Sequence, residues 1–150
     1  MMAIPINCKR LAEVDFPLAE VSKFAKIEKT IATGSIGSIH KWFARRPLAS
    51  CRAMNMACLL PDPGDENCPT EIRRIIANSL DEFEKSFDIL KSSLTDIGSL
   101  SASRNRPTQL RKRLLKFIAV QANYHSRDSP EILRCSKKLL HGIFDDPPVV

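Results

Sequence analysis

The sequence predicts an all-α protein of about five helices, on three observations. Apolar residues recur at three- and four-residue spacing through most of the chain, prolines and glycines interrupt that spacing at intervals suited to helix ends, and no apolar–polar alternation occurs before the final residues. At 150 residues the chain is one domain or a piece of one, large enough to bury a core. Residues 1–60 form an expected N-terminal helical part and residues 61–150 a helical extension, together one compact unit.

The first helix follows Pro17, with Leu18, Val21, Phe24 or Ala25, and Ile27 on one face. It ends before the loop Thr33-Gly34-Ser35-Ile36-Gly37-Ser38, whose G-x-x-G spacing suits either a clamp on a nucleic-acid backbone or a plain turn. Pro47 fits the first turn of the second helix, where its missing N–H is not needed, and the run from Leu48 to Leu60 stops at Pro61. Cys51 and Cys58 share a face of this helix beside Met54 and are expected to be small, reduced, inert core residues.

Beyond the turn-rich connector Pro61-Asp62-Pro63-Gly64-Asp65, the stripe Ile72, Ile75, Ile76, Leu80, Phe83, Phe87, Leu90, Leu94 and Ile97 marks the clearest helix. Thr70 is its expected cap and Gly98 its stop. Pro107 opens a fourth helix, with Leu110, Leu114, Phe117, Ile118 and Gln121 on one side and Arg111, Lys112, Arg113 and Lys116 around the rest. The fifth begins at Ser129-Pro130-Glu131, packs through Ile132, Leu133, Ser136, Leu139 and Leu140, and ends before Gly142. The last residues, Asp145-Asp146-Pro147-Pro148-Val149-Val150, read as a loop opening into a truncated β-strand, as at a domain boundary.

Net charge is +6, unevenly spread. Residues 1–60 carry nine Lys or Arg against four acids, residues 61–100 four against nine, and residues 101–150 ten against four. Two basic lobes favour a polyanion, and the acidic middle is either a solvated face or an internal partner for them. No apolar run is long enough to span a membrane, and Met1-Met2-Ala3-Ile4-Pro5 lacks a signal peptide's charged start, so a cytoplasmic location is expected. The five cysteines form no C-x-x-C pair and no histidine stands at ligand spacing, so no zinc or other metal site is expected.

The stretch Ile39-His40-Lys41-Trp42-Phe43-Ala44-Arg45-Arg46-Pro47 gathers the only tryptophan, a histidine and two adjacent arginines at a helix start. Cations there oppose the positive end of the macrodipole by about 0.3–1 kcal/mol each. Glu28 and Asp62 are the nearest carboxylates on either side, and neither is an obvious local compensator. A phosphate or carboxylate held by the free helix N–H groups and the guanidinium forks would supply the missing charge. Trp42 either stacks on a base or plugs a helix junction, and His40 either contacts a base edge or is a satisfied core histidine.

These residues resemble the domain of unknown function 1156, which stands at the N-terminus of bacterial and archaeal adenine-specific DNA methylases. Lys9-Arg10-Leu11-Ala12-Glu13-Val14-Asp15-Phe16-Pro17-Leu18 is similar to the family's R-L-I-E-x-x-x-P-L. Glu28 to Gly34 and Ser38 to Ala53 resemble its E-K-x-I-R-x-G-H-x-S-T-L-H-x-W-W-A-R-R-P-L-A-A-C-R-A, and Leu114 to Tyr124 its L-L-D-F-I-A-D-F-A-N-W. Ser35, Phe43, Ala32, Lys116 and Tyr124 depart from that pattern; phenylalanine at 43 keeps the stacking face and loses the indole N–H.

The resemblance implies an N-terminal helical module of an adenine N6-methyltransferase. In the family, the equivalent of Pro148-Val149-Val150 runs into D-P-F-x-G-G-G, which binds S-adenosylmethionine; that loop and the D-P-P-Y type catalytic motif are not in this sequence. The chain is therefore expected to carry no catalytic residue and no cofactor, with S-adenosylmethionine implied for the full-length family. DNA is the expected partner, through His40, Lys41, Trp42, Phe43, Arg45, Arg46, Arg52, Arg111, Lys112 and Arg113, together with a catalytic domain in cis or as a separate chain. The alternatives are a free-standing nucleic-acid-binding module and a non-catalytic interaction subunit or gene remnant. Apolar surface left open where a sheet would dock is expected to drive self-association.

Overall fold

The structure is a computed structural model that describes residues 4–30, 48–86, 106–123 and 129–144. Six helices lie among the described residues: α1 (Leu11–Val14), α2 (Leu18–Thr30), α3 (Leu48–Leu59), α4 (Thr70–Ser86), α5 (Pro107–Ala122) and α6 (Pro130–Ile143). The protein is all-α over these segments, with one isolated antiparallel bridge between Arg10 and Pro61. The strand expected at residues 147–150 and the later half of the long helix, 87–97, lie outside the described residues.

The sixth helix is α1, a single turn too short for periodicity to reveal. Its first turn is held by Glu13, whose carboxylate accepts the Arg10 backbone N–H at 2.9 Å, and by tertiary bonds to the end of α3. Leu11 N–H donates to the Leu60 carbonyl at 3.0 Å, Asp62 N–H to the Lys9 carbonyl at 2.9 Å, and the Arg10 guanidinium to the Leu59 carbonyl at 3.1 Å.

Helix α5 occupies the middle. It packs against α3 on one side and α4 on the other; α6 lies against α4, and α2 touches both α3 and α5. Its inward face holds Leu110, Leu114, Phe117 and Ile118, as its spacing predicts, together with Ala119 and Ala122, while Gln121, expected on that face, is half-buried. Phe117 meets Phe83 of α4 edge to face, with ring centres 5.0 Å apart. One core cluster joins Cys8 and Leu11 at one end of the sequence to Leu139 and Ile143 at the other.

The proline-marked starts match the sequence: Arg106 and Ser129 are the extended N-cap residues of α5 and α6, with Pro107 and Pro130 behind them. For α4 the Arg73 N–H reaches the Pro69 carbonyl at 3.1 Å, so Pro69 takes the cap position expected of Thr70. Gly142 does not stop α6 but lies within it. A Cβ there would sit 2.7 Å from Ile75 Cγ2, so this glycine lets α6 and α4 approach closely.

Several expected faces turn differently. In α3 the buried stripe is Ala49, Ala53, Met56 and Ala57, and its three alanines admit α2 and α5. Cys51, Met54 and Cys58 fall on the other side: Cys51 is half-buried, Met54 and Cys58 exposed, which corrects their assignment to the core. Leu18 and Ile27 of α2 and Leu133 of α6 are likewise exposed, while Val21, Ala25 and Cys135 point inward. None of the described helices is long and apolar enough to cross a membrane.

Candidate functional site

His40, Lys41, Trp42, Phe43, Arg45 and Arg46 lie outside the described residues, as does the G-x-x-G loop. What the structure describes is the start of α3, the helix that this motif leads into. There the Glu28 carboxylate, from the end of α2, accepts the Ala49 backbone N–H at 2.8 Å. The sequence leaves this helix start without an acid; the fold supplies one by laying α2 along α3. A carboxylate on a first-turn N–H satisfies an orphan donor and meets the positive end of the macrodipole.

One turn further, Arg52 is half-buried and donates from Nη2 to the Ala122 carbonyl at 3.3 Å, at the C-terminal end of α5. A cation at that end complements the helix dipole. Its Nε is buried without a partner. Arg52 thus ties α3 to α5, a role that its sequence position as a candidate phosphate contact does not suggest.

The cation cluster on α5 divides in two. Arg111 grips Asp62 through Nε to Oδ1 at 2.8 Å and Nη2 to Oδ2 at 2.5 Å. Asp62 is fully buried, its Oδ1 also accepting the Gly64 N–H at 2.9 Å. The hydrogen bonds to Asp62 raise the already high pKa of Arg111. Arg113, its side chain 11% exposed, donates from Nε to Glu84 at 2.8 Å and from Nη2 to Asp81 at 2.6 Å. Burial pushes its pKa down, but the bonds to Glu84 and Asp81 outweigh that and leave it raised.

The acidic middle of the sequence is therefore the internal partner of two candidate contacts, Arg111 and Arg113. Lys112 and Lys116, one turn apart on the same side of α5, are exposed, and no acid among the described residues pairs with either. Helix α5 contains no acid of its own. The signal that foretells the Asp62 hub is local: an aspartate two residues before a glycine, between prolines, is an Asx-turn sequence. Its partner, 49 residues away, has no local signal.

Among the described residues no group of three or more His, Cys, Asp and Glu could hold a metal ion. No curated protein and no solved structure matches the chain. Residues 15–86, from the turn before α2 to the last residue of α4, match the family model described as "Protein of unknown function (DUF1156)", and this part of the chain is a domain of that family.

Proposed function

We propose that the chain is the N-terminal helical module of an adenine-specific DNA methyltransferase-like protein, contributing DNA or active-site contacts to a catalytic core in cis or in a separate chain. The carrying observation is the long resemblance from Glu28 through Ala53, inside the matched stretch, in which aromatic and cationic residues cluster in the sequence just ahead of Leu48. Methylation of an adenine within a duplex requires the base to be extruded, the flanking phosphates held and the exposed ring stacked. Arg45, Arg46 and Lys41 suit the phosphates, and Trp42, Phe43 and His40 suit the base.

Among the described residues the reading favours Lys112 and Lys116 as phosphate contacts over Arg111, Arg113 and Arg52, which are engaged inside the fold. S-adenosylmethionine would bind in the catalytic core, and the chain alone should transfer no methyl group.

Binding of the purified chain to a short DNA duplex over a salt series tests the proposal, with Arg45→Ala/Arg46→Ala alongside. Expected is binding that weakens with salt at a slope of about −0.9 per phosphate contacted, and that is lost in the double variant. Absence of binding by the wild-type chain would sink the DNA-contact reading. A second reading, an interaction subunit, draws on the exposed Leu18, Leu48 and Met54 on α2 and α3, apolar surface suited to another protein.

A further inference from the structure

Cys8 and Cys68, sixty positions apart in sequence, are brought together by the fold. Residues 7–11 run beside residues 60–68: Asn67 Nδ2 donates to the Asn7 carbonyl at 3.3 Å, Lys9 N–H to Asp65 Oδ2 at 2.6 Å, and Asp62 N–H to the Lys9 carbonyl at 2.9 Å. Between these bonds Cys8 and Cys68 lie near each other, both buried in the same core cluster and both free. The Cys8 thiol donates to the Lys9 carbonyl at 3.8 Å and the Cys68 thiol to the Pro69 carbonyl at 3.9 Å. Arg73, whose Nε is buried without a partner, stands close enough to Cys68 to favour its thiolate.

We infer that Cys8 and Cys68 are a redox pair: at an oxidising thiol–disulfide poise they close a reversible disulfide that locks the N-terminal arm to the connector ahead of α4. The oxidant is a low-molecular-weight disulfide, RSSR. One cysteine, having lost its proton, attacks a sulfur of RSSR, forms a mixed disulfide and expels RS⁻, which takes up a proton. The second cysteine, also deprotonated, attacks the protein-bound sulfur and forms the Cys8–Cys68 bond. The other RS⁻ leaves and is protonated, so two electrons pass from the pair to RSSR and two RSH are released.

Access comes from the arm. Pro5, Ile6 and Asn7 are exposed and in no helix, so local opening of this edge admits the reagent without unfolding the core. Burial pushes both thiols up, Cys68 to about 12, so thiolate is scarce at neutral pH and the bond should form slowly, faster as pH rises.

The test is oxidation of the full chain, in a Cys51→Ser/Cys58→Ser background that removes the two less buried thiols, with glutathione disulfide as the probe. Peptides are mapped without reduction. A Cys8–Cys68 cross-linked peptide, formed by folded protein, reversed by dithiothreitol and accompanied by a higher Tm, is expected. Cys8→Ser should abolish it. Free thiols at both positions after prolonged oxidation, glutathione retained on either cysteine, or a bridge that forms only in denaturant would overturn the pairing.

Discussion

Arg111 holds the buried Asp62 by a two-point contact across 49 residues of sequence, and Gly64 lies directly against the guanidinium. Removing one partner of a buried pair leaves the other uncompensated. Arg111→Met should destabilise the protein by about 3–5 kcal/mol, and Asp62→Asn in the same chain should restore part of the loss. Urea denaturation of the single and double variants measures both; a loss of DNA affinity at unchanged stability would instead return Arg111 to the DNA.

Gly142→Ala sets two effects against each other. Alanine favours a helix interior by about 1 kcal/mol over glycine, yet its Cβ would lie 2.7 Å from Ile75 Cγ2. Overpacking of this kind costs about 1–3 kcal/mol, so the net effect is expected to be destabilising. Adding Ile75→Val, which trims the neighbouring side chain, should lessen the penalty in a thermal melt.

Lys112 and Lys116 behave oppositely to their arginine neighbours. Lys112→Ala/Lys116→Ala should leave stability within about 0.5 kcal/mol of wild type, as exposed substitutions do. Under the DNA-contact proposal its salt slope should fall by about 0.9 for each phosphate contact removed. Arg113→Ala should do the reverse, lowering stability because Asp81 and Glu84 lose their shared cation.

Asp65 sets an acid-side dependence. The Lys9 N–H bond is the main reason its carboxyl lies below the ordinary value. Its folded pKa is thus lower than its unfolded one, so its stabilisation is complete above the unfolded value and is lost as pH falls through the folded value. Asp65→Asn should flatten the decline of stability in acid, read from urea midpoints across that range.

Helix starts were legible wherever proline fixed them, at Pro107 and Pro130, and inward faces wherever large aliphatic residues alternated with charge, as along α4 and α5. In α3 the inward face is made of three alanines and Met56, and bulk misleads: Met54 is larger than Ala53 yet faces out. Gly142 carries a local stop signal that close packing against Ile75 overrides. The site was less legible because ion pairs are tertiary events. The sequence displays four adjacent or nearby cations on α5, and only the fold decides that Arg111 and Arg113 turn toward Asp62, Asp81 and Glu84.

The lacing of residues 7–11 onto residues 60–68 also orders events during synthesis. Leu11 and Lys9 find their partners only when Leu60 and Asp65 have left the ribosome, so the arm emerges first and docks after α2 and α3 have been made. Until then Leu11, fully buried in the finished fold, stays exposed on the nascent chain, and this interval is when aggregation through the arm has its opening.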